Sequence, residues 1–433
     1  MEKIVRTWIA AGALALIGAM WPLHAGAELK IEITQGVERA SPIAIAPFGA
    51  QGAQLPVDVA DVISADLNRS GRFKAMDPDS MMSRPETPDQ VRFKDWQLLG
   101  QDHLVIGQVR PAAGGYTVEF HLYDVLRGGE MVSYTIDSPA ADLRRTAHRI
   151  ADIVYQQLTG MPGAFATRIA YVTSAMGENG KRQYKVQVAD ADGFGPQTIV
   201  TSPEPLMSPS WSADGNKLAY VSFENKTSAI YTQTLATGQR QLVSSLPGIN
   251  GAPAWAPDGS RLAVTLSKDG NAEVYVLNLQ SKALLNVSNN RAIDTEPNWS
   301  PDGSSIVFTS DRGGKPQLYL APASGGAAQR VTYEGEYNAR GVFAPDGKSL
   351  AMVHGGGGGF RIAVLDLASK SLRVLTKGPL DESPSFASNG SMIMYASKVG
   401  SEGYLNAVSV DGSVQQRLSS ETRDVREPAW SPL

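Results

Sequence analysis

Five times in this chain an apolar strand reaches an aromatic residue, turns on a small-Asp/Asn-Gly step, and resumes as a second apolar strand. The copies read PSWSADGNKLAYVS (209–222), PAWAPDGSRLAVTL (253–266), PNWSPDGSSIVFTS (297–310), GVFAPDGKSLAMVH (341–354) and PSFASNGSMIMYAS (384–397). A sixth copy begins at Pro428 as PAWSPL and stops at Leu433. The aromatic anchors Trp211, Trp255, Trp299, Phe343, Phe386 and Trp430 are spaced 44, 44, 44, 43 and 44 residues apart. A period in the forties built from short alternating strands predicts a β-propeller, each repeat being one four-stranded blade.

The missing part of the sixth repeat lies upstream. Arg168-Ile169-Ala170-Tyr171-Val172-Thr173 matches Lys217-Leu218-Ala219-Tyr220-Val221-Ser222, the second strand of a full copy. The last blade is therefore expected to take its inner strand from 428–431 and its other three from 168–201. Closure by both ends removes sheet edges that would otherwise invite pairing with another chain. The fold class predicted is an α/β N-terminal domain followed by an all-β six-bladed propeller closed by strands from both ends of the repeat region.

Local chemistry agrees with this reading. In Pro257-Asp258-Gly259 the proline pre-sets φ, the aspartate favours the turn, and the glycine takes the positive φ that lets the strand return. Alternating runs at 230–235 and 274–279 supply third strands, and second turns follow at Thr237-Gly238, Ser324-Gly325-Gly326 and Asp411-Gly412. Each aromatic anchor sits inside a strand pattern, so packing between neighbouring blades is favoured over ligand stacking.

The chain ahead of the repeats has another character. Lys3 and Arg6 precede an apolar stretch from Trp8 to Trp21, then the small-x-small step Ala25-Gly26-Ala27. The stretch is short for a membrane span and reads as a cleaved secretory signal over 1–27. Removing it moves the formal charge from −4 to −5, which offers no electrostatic basis for binding nucleic acid. The absence of cysteine excludes a disulfide framework and a thiol nucleophile.

Residues 28–160 are expected to form a separate α/β domain, joined through a linker at 161–167 to the propeller at 168–433. Residues 29–33 alternate as a short strand and 43–48 read as a buried one. Apolar residues recur at helical spacing over 57–67, and strands follow at 103–110, 116–125 and 130–136. The 140–158 segment carries Leu143, Ala147, Ile150, Val154 and Leu158 on one helical face, ended by Thr159-Gly160.

Catalytic signals are missing. Once the leader is removed, His103, His121, His148 and His354 remain, without metal-ligand spacing, and no G-x-S-x-G elbow occurs. The five glycines at 355–359 lack the Lys-Ser/Thr of a phosphate loop and read as a flexible loop between strands two and three of their blade. Asp190-Ala191-Asp192-Gly193 resembles the start of a calcium loop, but Thr201 stands where the closing Glu belongs, so a hairpin turn is the favoured reading. Neither a cofactor nor a metal is expected, and the chain reads as a non-enzyme.

What remains is a surface. In a four-stranded blade, the connection into the next inner strand and the loop between strands two and three emerge on one face. Those connections bring Met207, Asn250, Ala252, Thr295 and Glu296 to the mouth of the channel, together with Arg340, Glu382, Arg426 and Glu427. Polar residues are also what any solvated loop tip carries, but convergence on a propeller mouth favours a binding role.

The signal, the opening ELKIEITQGVERASPIAIAPF and the PxWSPDGxxLAY repeats together resemble the TolB family, periplasmic components of the Tol–Pal system of Gram-negative bacteria. Pro205-Leu206-Met207-Ser208-Pro209, Thr295-Glu296-Pro297 and the terminal PAWSPL narrow the match, which covers essentially the whole mature chain. The resemblance implies a non-enzymatic periplasmic adaptor that binds the lipoprotein Pal at the propeller mouth. It also implies contact with TolA through the mature N-terminus, here Glu28, Leu29, Ile31 and Ile33, and use of the same mouth by bacteriocin translocation peptides. The implied role is outer-membrane integrity and constriction in cell division. Ile249 stands where relatives can carry a histidine. Two other classes stay open: a hydrolase-associated propeller and a carbohydrate-binding one, the latter wanting aromatic platforms where the rim offers Tyr337.

Overall fold

The structure, a computed structural model, describes residues 30–35, 40–177, 180–400, 402–419 and 424–433. The leader predicted over 1–27, Glu28 and Leu29 of the predicted arm, and Arg423 of the rim lie outside the described residues.

The N-terminal region is a three-layer α/β unit. Its strands are β2 (Ser41–Ile45), β3 (Phe73–Ala75), β4 (His103–Ala112), β5 (Gly115–Asp124) and β6 (Gly129–Pro139), in the order β3-β2-β4-β5-β6. β2 runs parallel to both neighbours and the remaining pairs are antiparallel. Helices α1 (Val59–Arg69) and α3 (Leu143–Thr159) cover one sheet face, burying Ile63, Leu67, Ile150 and Val154 against Ile43, Val105, Phe120 and Leu122. The short α2 (Phe93–Leu98) closes the other face with Trp96 against Ala44, Leu104 and Ile106. Asp58 caps α1 by accepting from the amides of Ala60 and Asp61 at 2.9 and 3.2 Å. Gly160 ends α3 at φ 75°, where a side chain would be strained. Both helices fall where apolar spacing placed them. α2 and β3, at six and three residues, are too short to show a period.

The strand predicted at 29–33 is present as β1 (Lys30–Gln35), but its partner lies outside this sheet. It pairs antiparallel with Gln415–Ser419, the outer strand of a propeller blade, with Lys30 opposite Ser419 and Gln35 opposite Gln415.

The repeats form six blades. Inner strands are Leu206–Trp211, Asn250–Trp255, Asp294–Trp299, Tyr337–Phe343, Asp381–Phe386 and, for the sixth, Val425–Trp430. The sixth blade has the order Val425–Trp430, β7 (Arg168–Met176), β8 (Arg182–Asp190), β9 (Gln197–Ser202), so the two ends of the repeat region share one sheet as the sequence predicted. The seam is bonded on both sides. Ser431 N donates to Arg168 O at 2.8 Å, Arg168 N donates to Ser431 Oγ at 2.9 Å, and Trp430 Nε1 donates to Thr167 Oγ1 at 2.7 Å.

The aromatic anchors do pack between blades. Trp211 reaches the sixth blade and donates from Nε1 to Ala429 O at 2.9 Å, and Trp299 does the same to Ala254 O of the second blade at 3.1 Å. The glycine run differs from expectation. β-pairing continues through Gly356 and Gly359, leaving a tight two-residue turn at Gly357 (φ 62°) and Gly358 (φ 90°) instead of a loop.

The N-terminal unit packs on the face of the propeller that carries the short turns. Asn389 Nδ2 donates to Pro162 O at 2.9 Å, and the Gln416 side-chain amide donates to the carbonyl of Arg69. Among the described residues, the opposite face, with the mouth, is left open.

Candidate functional site

Each inner strand is interrupted by a β-bulge at the same place. Register shifts fall between Met207 and Ser210, Gly251 and Ala254, Thr295 and Asn298, Ala339 and Val342, Glu382 and Ser385, and Arg426 and Ala429. In every bulge one non-glycine residue takes a left-handed conformation: Ser208 (φ 52°), Ala252 (45°), Glu296 (56°), Arg340 (53°), Ser383 (57°) and Glu427 (48°). Such conformations cost about 1–2 kcal/mol each for an L-residue. The bulge re-aims its side chain out of the pleat. Five of the six are followed by proline (Pro209, Pro253, Pro297, Pro384, Pro428), which has no N–H to contribute to the ladder, and the fourth by Gly341. The six bulge residues line the throat of a central cavity of ≈ 480 Å³ that also touches the aromatic anchors.

The throat is cross-tied by charge. Arg340 Nε lies 3.1 Å from Glu296 Oε1, its Nη2 lies 3.7 Å from Glu427 Oε2, and its Nη1 donates to Ser383 Oγ. Glu296 Oε2 also accepts from the Arg340 backbone N–H at 3.1 Å and from Thr309 Oγ1 at 3.0 Å. Glu427 Oε2 accepts from Ser208 N. Burial pushes the Arg340 guanidinium down, but the carboxylates of Glu427, Glu296 and Glu382 outweigh it and hold the group above its ordinary value. One cation thus links bulges of the third, fourth, fifth and sixth blades.

The nine rim residues picked out by sequence divide into three kinds. Glu296, Arg340 and Glu427 converge in the throat, both glutamates paired with the one arginine. Asn250 is buried instead of presented: its Oδ1 accepts from Ser244 Oγ and Leu246 N at 2.6 and 2.9 Å, and its Nδ2 donates to Leu246 O at 2.6 Å. It fixes the connection into its own strand, a task that Asn338 repeats by donating to Glu334 O at 2.8 Å. Met207, Ala252, Thr295, Glu382 and Arg426 keep surface toward the mouth, Arg426 in a bidentate pair with Asp424 at 2.8 and 2.6 Å. In the arm, Ile31 and Ile33 belong to β1.

Sequence reasoning named Met207 but missed the rest of the apolar component of this face. Met207, Ile249, Ile293 and Val399 expose 40%, 51%, 56% and 53% of their surface, and Met176, Tyr333 and Phe360 are exposed on the same side. All seven lie at starts of inner strands, in the connections before them, or at tips of the hairpins joining strands two and three. Single exposed apolar residues are ordinary, as at Leu242, Leu285 and Val374 on outer strands, but seven gathered on one face mark an interaction surface. The signal was available: Ile249 and Ile293 sit in short connections of mostly small and polar residues.

Comparison with known proteins places these features in a family. Residues 29–131 match the TolB amino-terminal domain and residues 155–433 the TolB beta propeller domain. The chain is 67% identical over 406 residues to the Tol-Pal system protein TolB of Methylococcus capsulatus, covering 94% of this chain and 95% of that one. It is 60% identical over 437 residues to the Tol-Pal system protein TolB of Thioalkalivibrio sulfidiphilus, covering 100% and 99%. The crystal structure of TolB from Acinetobacter baumannii superposes with a TM-score of 0.87 at 40% identity, covering 94% of this chain and all of that one. The chain belongs to the TolB family, non-enzymatic components of the Tol–Pal system built as a six-bladed propeller behind an α/β region.

Proposed function

We propose that this chain is a periplasmic adaptor of the Tol–Pal system that binds the lipoprotein Pal at the propeller mouth and TolA through its N-terminal arm. In this reading it serves outer-membrane integrity and envelope constriction in cell division, and bacteriocin translocation peptides compete for the same mouth. Its organisation is a leader over 1–27, an α/β domain over 28–160, a linker at 161–167 and the propeller from 168.

The observation that carries the reading is the group of exposed apolar residues, Met207, Ile249, Ile293 and Val399 among them, around a charged throat, on a face that the described residues of the N-terminal unit leave open. An apolar patch rimmed by polar residues is what a protein partner needs. β1 supports the second half. It is a terminal strand held by pairing to a single outer strand, so exchanging that strand for another protein's costs few contacts.

The test is calorimetry on mature protein with soluble Pal and the C-terminal domain of TolA. Met207→Asp and Ile249→Asp should each weaken Pal binding about tenfold, the effect of a charge placed in an apolar contact. Deleting residues 28–35 should abolish TolA binding while sparing Pal. Unchanged Pal affinity in both substitutions would remove the mouth from the reading, and intact TolA binding by the deletion would remove the arm.

A further inference from the structure

A buried polar cluster joins the two domains at a place the adaptor reading does not use. His148 of α3 is 1% exposed and Asp66 of α1 is fully buried. His148 Nδ1 lies 2.6 Å from Asp66 Oδ2, and Asp66 Oδ1 is paired with Arg69 Nε at 3.0 Å. On its other side His148 Nε2 points into the turn between β8 and β9, lying 3.9 Å from both Asp190 Oδ2 and Asp192 Oδ2 with no hydrogen-bond partner. Arg144 bridges the same two aspartates, its Nε 3.5 Å from Asp190 Oδ2 and its Nη2 donating to Asp192, while its guanidinium lies 3.9 Å from the centroid of the Phe194 ring. The aspartates that resembled the start of a calcium loop are therefore the propeller's contact with α3.

Proton counting on the imidazole narrows what this arrangement can be. A neutral ring has one N–H and one lone pair. If Nδ1 carries the hydrogen, the lone pair on Nε2 faces two carboxylates; if Nε2 carries it, the lone pair on Nδ1 faces Asp66 at 2.6 Å. Only the imidazolium can donate to Asp66 while turning an N–H, not a lone pair, toward the two carboxylates 3.9 Å away. Charge points the same way: Asp66, Asp190 and Asp192 bring three negative charges, Arg69 and Arg144 two positive ones, and one more positive charge balances the set. The cation position beside Asp192 is already taken by Arg144.

We propose that His148 is a proton-operated clasp between the domains, protonated when it ties α1 to the Asp190–Asp192 turn and loosening that turn when it loses the proton. Lower pH then tightens the docking and higher pH relaxes it. The turn belongs to the closing blade, whose inner strand carries Glu427 in the throat, so the clasp acts on the blade that both chain ends build. Other charged groups facing the cluster are Asp152 on α3, beside Asp66 and Arg69, and Arg168 at the start of β7, beside Asp190 and Arg145.

The chain has no cysteine, so spin labels can be placed at will on the full mature protein, for example at Ser133→Cys on β6 and Thr237→Cys on the propeller. The label-to-label distance distribution should narrow, with a several-fold fall in its separated component, between about pH 8 and about pH 5.5. Asp152→Asn should keep this response. His148→Gln, a neutral donor at every pH, should abolish it, and Asp190→Asn should shrink it if the glutamine variant folds poorly. Nitrogen shifts of the His148 ring in the wild type should report both nitrogens protonated at the acid end. A distribution that ignores pH, an equal response in His148→Gln, or a ring that stays neutral at the acid end would each overturn the clasp.

Discussion

Arg340 and Glu427 face each other across the channel throat, Nη2 to Oε2 at 3.7 Å, from blades that are not neighbours in the ring. Each sits at the left-handed position of its bulge. The most conspicuous charges of the rim are therefore engaged with one another before any partner arrives. A partner that draws on Glu296, Arg340 or Glu427 must rearrange an existing network, whereas Met207, Ile249 and Ile293 are available at once.

Arg340→Ala should destabilise the propeller. Removing the guanidinium leaves Glu296 and Glu427 in a partly enclosed throat without their shared cation, at a cost of about 2 kcal/mol. Glu296→Gln should cost less, because an amide oxygen can still accept from Thr309 and from the Arg340 N–H. Urea denaturation of both variants checks the order. Equal stability of Arg340→Ala and wild type would mean that solvent already screens the network.

Deleting residues 428–433 should unfold the sixth blade and take the ring with it. The deletion removes Trp430, its bond to Thr167 and both seam bonds between Ser431 and Arg168, and it strips Ile169 and Ala170 of β7 of their inner neighbours. The thermal transition should move to a markedly lower temperature and broaden as cooperativity fails. A truncated chain that melts like the intact one would contradict closure by both ends.

The repeat made the propeller and its closure legible because a 44-residue period and two half-blades leave a single consistent assembly. The partner of β1 was not legible. Alternation at Leu29, Ile31 and Ile33 marks a strand but does not say which open edge receives it, and that edge lies almost four hundred residues away at Gln415–Ser419. The throat was half legible. Glu296, Arg340 and Glu427 stand out as charges just before an inner strand, but nothing in serine, alanine, glutamate or arginine announces a positive φ. The proline that follows most of them was the usable sign, since proline inside an alternating strand implies a bulge. Asn250 misled because polar residues at strand starts fit a rim and a buried turn anchor equally well.

Gly71→Ala should loosen the docking of the two domains while leaving each folded. Gly71 has φ 69°, and a Cβ there would lie 2.3 Å from Val414 Cγ2 on the fifth blade. The backbone conformation alone costs an alanine about 1 kcal/mol, and the clash must be relieved by moving the N-terminal unit or Val414. Amide exchange around Ala164–Thr167 and at Gln416 should accelerate in the variant, while the sheets away from the interface keep their protection. Unchanged exchange at the interface would show that Val414 simply turns aside.

Asp152 makes the fold's stability depend on pH in an unusual direction. Its carboxylate accepts from the backbone N–H groups of Phe165 and Ala166 at 2.7 and 3.1 Å, tying α3 to the linker. Burial is the largest influence on it and, helped by the nearby Asp66 charge, outweighs those hydrogen bonds and Arg69, so its pKa is pushed up to about 6. In the unfolded chain the group titrates near about 4. Between those values the folded state binds more protons than the unfolded one, so stability falls as pH rises. The contribution is fully present below about pH 4 and lost as pH passes about 6, on the order of 2 kcal/mol in all. Asp152→Asn cannot ionise, and it keeps one oxygen for one of the two amides, its NH2 group facing the other. It should therefore lose one linker hydrogen bond and flatten the difference in unfolding free energy between about pH 4.5 and about pH 7. Urea denaturation of the two proteins at both pH values measures this directly. A wild-type curve whose Asp152-dependent part rises with pH would show that the linker amides and Arg69 outweigh burial.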